Sequence, residues 1–306
     1  MTQTLSIGRF APSPSGPLHF GSLLAAVASF MQAKHLGGKW LVRIEDIDPP
    51  REVAGASDTI LQQLDRHGLH WDDTVIYQST QIARHFEILE DLAAKQVIFH
   101  CDCTRQRLNL LNGIYDSRCH KLNHPKENTS VRLSIKDSLK LIGSKNDNIN
   151  FCDRIMGDYL QSLTQEVGDF VLRRRDGLIS YQLAVVIDDH LQGITEIIRG
   201  ADLIDSTPRQ ILLQQCLGYK TPIYGHIPLA MNNLGQKLSK QHHAIQLPQK
   251  NEQEQVWLAL DWLKQSPPLE LRNSSVKEII DWGISRWDLS KIPDSKKGFD
   301  APDHLN

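Results

Sequence analysis

The chain has 306 residues and sets 34 Lys plus Arg against 36 Asp plus Glu, a formal net charge of −2. That balance excludes a globally basic nucleic-acid binder, so an RNA partner has to be met by a local basic patch. With 40% hydrophobic and 23% charged residues the chain is neither disordered nor fibrous, and its length suits about two domains of usual size.

Leu5 to Phe10 reads as a short buried strand, and Leu18 to Leu36 as a helix stopped by Gly37-Gly38. Between them runs RFAPSPSGPLHFGS, Arg9 to Ser22, which prolines hold extended and glycines allow to turn. The helix start offers the N–H groups of Phe20, Gly21 and Ser22 to an anion, with His19 at the junction. Gly16 and Gly21 have P-loop spacing, but the lysine of a P-loop is missing. The plain alternative is a Pro-rich turn capping a helix. The apolar run Leu23 to Met31 is too short to cross a bilayer and lacks a basic leader, so a cytoplasmic protein with no membrane partner is expected.

Trp40 to Ile44 is a second strand, ending in Glu45-Asp46-Ile47-Asp48. Strand, loop, helix, strand opens a parallel α/β sheet, in which ligands lie beyond the carboxyl ends of the strands. Helical patterns follow at Ala54 to His67 and Gln81 to Gln96, then Val97-Ile98-Phe99 leads into a cysteine cluster. From Asn123 to Asn150 the chain turns polar around a strand at Val131 to Ile135, which suggests an insertion. Apolar patterning returns at Phe170 to Arg173 and at Ile179 to Ile187, where Val185-Val186-Ile187 fits a buried strand or a helix.

Thr195 to Arg199 is strand-like, Ser206-Thr207-Pro208 starts a helix, and Ile223 to Met231 is strand-like again. A Gly/Asn-rich basic loop, Asn232 to Lys240, comes next; Trp257 to Leu263 and Val276 to Trp287 are helical, and the last dozen residues read as loose. The expected units are 1–100 and 169–250 as two halves of a catalytic domain, 101–168 as an insertion and 251–306 as a short helical tail.

Three constellations carry chemistry. In Lys237-Leu238-Ser239-Lys240-Gln241, two lysines around a serine suit the β and γ phosphates of a nucleotide, although a short basic run alone is more often a solvated loop. Cys101, Cys103 and Cys119 place three thiolates within 19 residues, which suits a structural Zn²⁺; His100, His120 and His124 compete for the fourth position. Cys152 and Cys216 read as small core residues. Arg173-Arg174-Arg175 fits either a phosphate contact or a charged hairpin tip.

PLHFG and KLSKQ together resemble the HIGH and KMSKS signatures of class I aminoacyl-tRNA synthetases. RFAPSPSGPLHFG, RIEDID, YQLAVVIDD and RGADLIDSTPRQ resemble, in the same order, the catalytic domain of glutamyl-tRNA synthetases over about 240 residues from Ile7. Ser22 stands at the last HIGH position, and Leu238 and Gln241 depart from KMSKS while both lysines remain.

The resemblance implies an α/β, Rossmann-like class I catalytic domain with a zinc-containing insertion. It implies an ATP site at His19, Gly21, Ser22, Lys237, Ser239 and Lys240, with His19, Lys237 and Lys240 catalytic. L-Glutamate would be held by Arg9, Phe10, Ala11, Pro12 and Ser13, with Glu45 on the α-ammonium and Tyr181 and Arg199 on the side-chain carboxylate. That division has its own logic, since a carboxylate suits a guanidinium fork and an ammonium suits a carboxylate. Tyr115 is where truncated relatives in this family place the fourth zinc ligand, beside Cys101, Cys103 and Cys119.

Only 65 residues follow Gln241 (306 − 241), too few for the helical anticodon-binding region of full glutamyl-tRNA synthetases. The truncated branch it resembles activates glutamate with ATP and Mg²⁺ without needing tRNA, then transfers it to the queuosine base in the anticodon of tRNA(Asp). A monomer is expected. The alternatives are a shortened synthetase charging a tRNA 3′ end, a small-molecule nucleotidyltransferase, and a non-catalytic RNA-binding paralogue.

Overall fold

The computed structural model describes residues 5–111, 113–232, 246–248, 250–295 and 298–302. The first half runs β1 (Ile7–Phe10), α1 (Phe20–His35), β2 (Lys39–Ile44), α2 (Ala56–Arg66), β3 (Ile76–Tyr77), α3 (Ile82–Ala94), β4 (Ile98–Cys101), α4 (Arg105–Asn109), β5 (Ser130–Leu133), α5 (Ile135–Leu141), β6 (Asn148–Asp153) and β7 (Gly157–Ser162). The second runs β8 (Phe170–Arg173), α6 (Tyr181–Leu191), β9 (Glu196–Gly200), α7 (Thr207–Leu217), β10 (Ile223–Ile227), β11 (Ala230–Met231), α8 (Glu252–Trp262), α9 (Val276–Arg286) and β12 (Phe299–Asp300).

β1, β2 and β3 pair in parallel, as do β9 and β10. The two pieces meet where the Thr195 N–H donates to the Ile7 carbonyl at 2.9 Å. The result is a parallel frame ordered β3-β2-β1-β9-β10, and every strand points its carboxyl end the same way. α1 crosses this frame as its central helix. It is apolar on nearly all sides, because the sheet takes one face and α8 and α9 take another.

β4, β5 and β8 form an antiparallel sheet beside that frame, and β6 and β7 form a hairpin. The hairpin folds back onto β10, with the Arg154 N–H donating to the Tyr224 carbonyl at 2.8 Å.

Several sequence expectations are corrected. Ile223 to Met231 is two strands, because Pro228 cannot donate to a ladder. Of the two readings left open for Val185-Val186-Ile187, the helix holds, inside α6. The strand at Val131 ends at Leu133, since Ser134 caps α5 by accepting the Asp137 N–H. Cys152 is exposed: along β6 it points outward while Asp153 points inward. The tail is not loose where described, for β12 pairs in parallel with β11 and the Trp262 indole N–H donates to the Asp300 carbonyl at 2.9 Å.

Candidate active site

The carboxyl ends of β1, β2, β9 and β10 open onto one cleft. Beyond β1, the loop leads to His19, which caps α1: its Nδ1 accepts the Ser22 N–H at 3.2 Å, and its Nε2 lies 3.0 Å from Ser22 Oγ. This corrects the expectation that Ser22 offers its N–H to an anion, because the histidine already satisfies that donor. Gly21 makes room for the ring, since a Cβ there would stand 3.1 Å from His19 Cε1.

A cavity of about 270 Å³ lies over this helix start, lined by Ser13, Gly16, His19, Gly21, Ser22 and Asp202 among others. Pro12 faces it too. Lys237, Ser239 and Lys240 lie outside the described residues. The described chain stops at Asn232 just past β11, whose Ala230 lines the cavity, and resumes at Gln246, which bridges to His19.

A second cavity of about 130 Å³ adjoins, walled by Arg9, Phe10, Ala11, Glu45, Tyr181 and Arg199. Six of the residues assigned from sequence to one amino acid therefore meet. Glu45, Tyr181 and Ala11 also line a wider mouth of about 580 Å³ that reaches Asp48 and Arg51. One continuous cleft thus joins the helix start, the small cavity and solvent.

Beneath the small cavity lies a buried charge network that sequence reasoning missed. Arg9 forks onto Asp189 at 3.1 and 3.2 Å, and Arg43 reaches Asp189 at 2.9 Å and Glu45 at 3.3 Å. Asp188 completes it, accepting from Gln78 at 2.7 Å and pairing with His85 at 2.8 Å. Burial pushes the Glu45 carboxyl up, against the pull of Arg43 and Arg9. Burial also acts to raise Asp189, but the two guanidiniums outweigh it and hold that carboxyl below its ordinary value. Glu45 contacts Arg43 from this network and faces the small cavity. The signal in the sequence was a charge inside an apolar run: Arg43 between Val42 and Ile44, and Asp188-Asp189 after Val185-Val186-Ile187.

Arg199, on β9, donates from Nε to His226 at 3.0 Å, from Nη2 to Thr207 at 2.8 Å and from Nη1 to the Tyr181 hydroxyl at 3.3 Å. Burial raises the Tyr181 hydroxyl, which stays protonated. His226 and Thr207 carried no signal as site residues in the sequence.

Outside the residues that line this cleft, Cys101, Cys103 and Cys119 bring their sulfurs within 4.8 Å of one another. Cys103 and Cys119 lie 3.5 Å apart, and the Tyr115 hydroxyl lies 3.4 Å from Cys101 and 3.6 Å from Cys103. The edges of a tetrahedron around zinc with Zn–S near 2.3 Å are about 3.8 Å, so these four side chains fit the ion. Burial acts to raise the Cys101 thiol, but the Tyr115 hydroxyl and Arg132 outweigh it and bring the thiol down to about 7. His100 is occupied by Thr129 and His120 by Asp137, while His124 stands near Cys119 and Asp102 outside the thiol triad. Arg173-Arg174-Arg175 forms a hairpin tip held within the protein, Arg173 on the Thr129 carbonyl, Arg174 on Asp48 and Asp176, and Arg175 on the Asp102 carbonyl.

A parallel frame that seats a nucleotide-sized cavity on the helix after β1, and a charged cavity between β1, β2 and β9, defines a class I aminoacyl-tRNA synthetase catalytic domain. Within that class the chain belongs to the family for E and Q: the family model "tRNA synthetases class I (E and Q), catalytic domain" matches residues 7–264. It is similar to the glutamyl-Q tRNA(Asp) synthetase of Pseudomonas aeruginosa PAO1, 46% identical over 94% of this chain and 95% of that protein. The protein of the same name from Escherichia coli K12 is 47% identical over 96% of this chain and 93% of its own length. In fold it resembles a glutamate tRNA ligase from Elizabethkingia meningosepticum solved with its amino acid, with a TM-score of 0.78 at 23% identity, covering 99% of this chain and 68% of that one.

Proposed function

We propose that this protein activates L-glutamate with ATP, without tRNA, and then transfers the glutamyl group to the queuosine base in the anticodon of tRNA(Asp). The observation that carries this reading is the similarity to glutamyl-Q tRNA(Asp) synthetases along nearly the whole of both chains. The small charged cavity supports it. Glu45 takes the α-ammonium, Arg199 and Tyr181 take the side-chain carboxylate, and Arg9, Phe10, Ala11, Pro12 and Ser13 wall the amino acid.

In the first step an α-carboxylate oxygen of glutamate attacks the α-phosphorus of ATP, and pyrophosphate leaves with Mg²⁺. Such a transfer needs positioning and charge stabilisation more than a covalent catalyst. His19, Gly21 and Ser22 seat the nucleotide, and Lys237, Ser239 and Lys240 neutralise the leaving pyrophosphate. In the second step a nucleophile of the queuosine base attacks the activated carbonyl carbon, and AMP leaves. The mouth beside Glu45 and Tyr181 admits that acceptor.

Cys101, Cys103, Tyr115 and Cys119 hold one structural Zn²⁺, which braces the insertion 101–168 between the catalytic halves 1–100 and 169–250; residues 251–306 are a helical tail. A cytoplasmic monomer suits this work. Among the described residues no helix is long and apolar enough to cross a membrane.

The test is incubation with labelled glutamate, ATP and total tRNA, followed by digestion to nucleosides. Glutamyl-queuosine is the expected labelled product. Label on a terminal adenosine, or label that persists with tRNA lacking queuosine, refutes the acceptor.

A further inference from the structure

Arg199 does not hold its own orientation. We infer that Asp153, at the end of β6, and His226, on β10, form a positioning dyad that locks Arg199 for the side-chain carboxylate of the substrate. The inference rests on the proposed role of Arg199.

The donor and acceptor count forces the arrangement. A guanidinium has no acceptor, so where Arg199 Nε donates to His226 Nε2 at 3.0 Å, that ring nitrogen is the bare one. The imidazole proton then sits on Nδ1 and is given to Asp153 Oδ2, 2.5 Å away. Asp153 is fixed in turn, since its Oδ1 accepts the N–H groups of Ile155, Met156 and His226 at 3.0, 2.9 and 3.0 Å. All three side chains are buried, His226 completely. Thr207 closes the clamp by accepting from Arg199 Nη2 at 2.8 Å, which leaves Nη1 beside Tyr181 at the cavity. A hairpin far along the chain from the first loop thereby sets the tautomer of one histidine and the aim of one arginine.

The carboxylate of Asp153 accepts from donors on both oxygens, so asparagine cannot replace it. In Asp153→Asn the amide turns its NH₂ toward either the backbone donors or the histidine. The three backbone donors outnumber the one, so the NH₂ faces His226 Nδ1, and the ring proton moves to Nε2 against Arg199. The volume is unchanged while the lock is reversed. His226→Asn keeps a donor for Asp153 but offers nothing to Arg199; His226→Gln offers an amide oxygen where Nε2 stood.

Pyrophosphate exchange and calorimetric glutamate binding, with folding checked by thermal melting, test this. Asp153→Asn and His226→Asn should raise the KM and Kd for glutamate about 10–100-fold, the range for a lost charged hydrogen bond, with the KM for ATP unchanged. His226→Gln should recover most of that loss. A glutamate KM near wild type in folded Asp153→Asn, equal effects of His226→Asn and His226→Gln, or parallel rises in both KM values would each overturn the dyad. If Asp153→Asn does not fold, the two His226 variants decide. Wild type that binds glutamate without exchange refutes the activation reading alone, and the Kd values still rank the variants. Wild type that binds no glutamate overturns both.

Discussion

Arg43→Met should cost about 3 kcal/mol at neutral pH, and the cost should shrink in acid. Arg43 is wholly buried and lies 2.9 Å from Asp189, 3.3 Å from Glu45 and 4.0 Å from Asp188. Methionine preserves length and apolar bulk while stranding carboxylates. Removing one partner of a buried ion pair costs about 3–5 kcal/mol, and the lower end applies because Asp189 keeps both contacts to Arg9. The pH dependence follows from Glu45, whose carboxyl burial already raises and which would rise further without Arg43. A carboxyl with a folded value above its unfolded value binds protons more tightly in the folded state. Its penalty is absent below the unfolded value, near 4.3 for glutamate, and complete above the folded one. Urea unfolding of both proteins, followed by circular dichroism at about pH 5 and about pH 8, measures the difference. A deficit under about 1 kcal/mol, or one that grows toward acid, refutes the assignment of Arg43 as the counter-ion of this network.

Lys240→Ala should lower the turnover of glutamate-dependent pyrophosphate exchange by about 10²–10³-fold, the loss of one preorganised donor; unchanged turnover moves the pyrophosphate site elsewhere. Gly21→Ala should raise the KM for ATP and spare that for glutamate, because the new methyl presses on the His19 ring; an equal change in both would mean the ring is not at the nucleotide. Metal analysis of Cys103→Ser should find the zinc lost and the melting temperature lowered, with wild-type metal content excluding Cys103 as a ligand.

Local sequence made legible both the parallel frame and the residues that wall the small cavity. Residues that touch the small cavity sit in runs whose types and order are specific: Arg9 in RFAPSPSGPLHFG, Glu45 in RIEDID, Tyr181 in YQLAVVIDD and Arg199 in RGADLIDSTPRQ. The residues behind them were not legible, because their roles depend on long-range pairing. Arg9 and Asp189 are 180 positions apart, and Asp153 and His226 are 73 apart. Asp153 sits in a stretch that reads as an edge of the polar insertion. Local pattern also misjudged Cys152, where an apolar neighbourhood in sequence became an outward position once the strand alternation was fixed.

The tail is part of the core that backs α1. Residues beyond Gln241 read from sequence as two short helices after a catalytic domain. In the structure Trp257, Trp262 and Trp287 share one core with Leu23, Leu24, Val27 and Met31 of α1. The Trp287 indole N–H donates to Gln32 Oε1 at 2.9 Å, and Gln32 in turn donates to Glu196 at the start of β9. A Cβ on Gly283 would stand 2.8 Å from Met31 Cε, so α9 lies directly on α1. The helix that presents His19 and Gly21 to the cavity of about 270 Å³ is therefore held from behind by the tail, as it is held in front by the sheet. Interiors packed this closely transmit small displacements, so the tail belongs to the machinery that fixes the helix start.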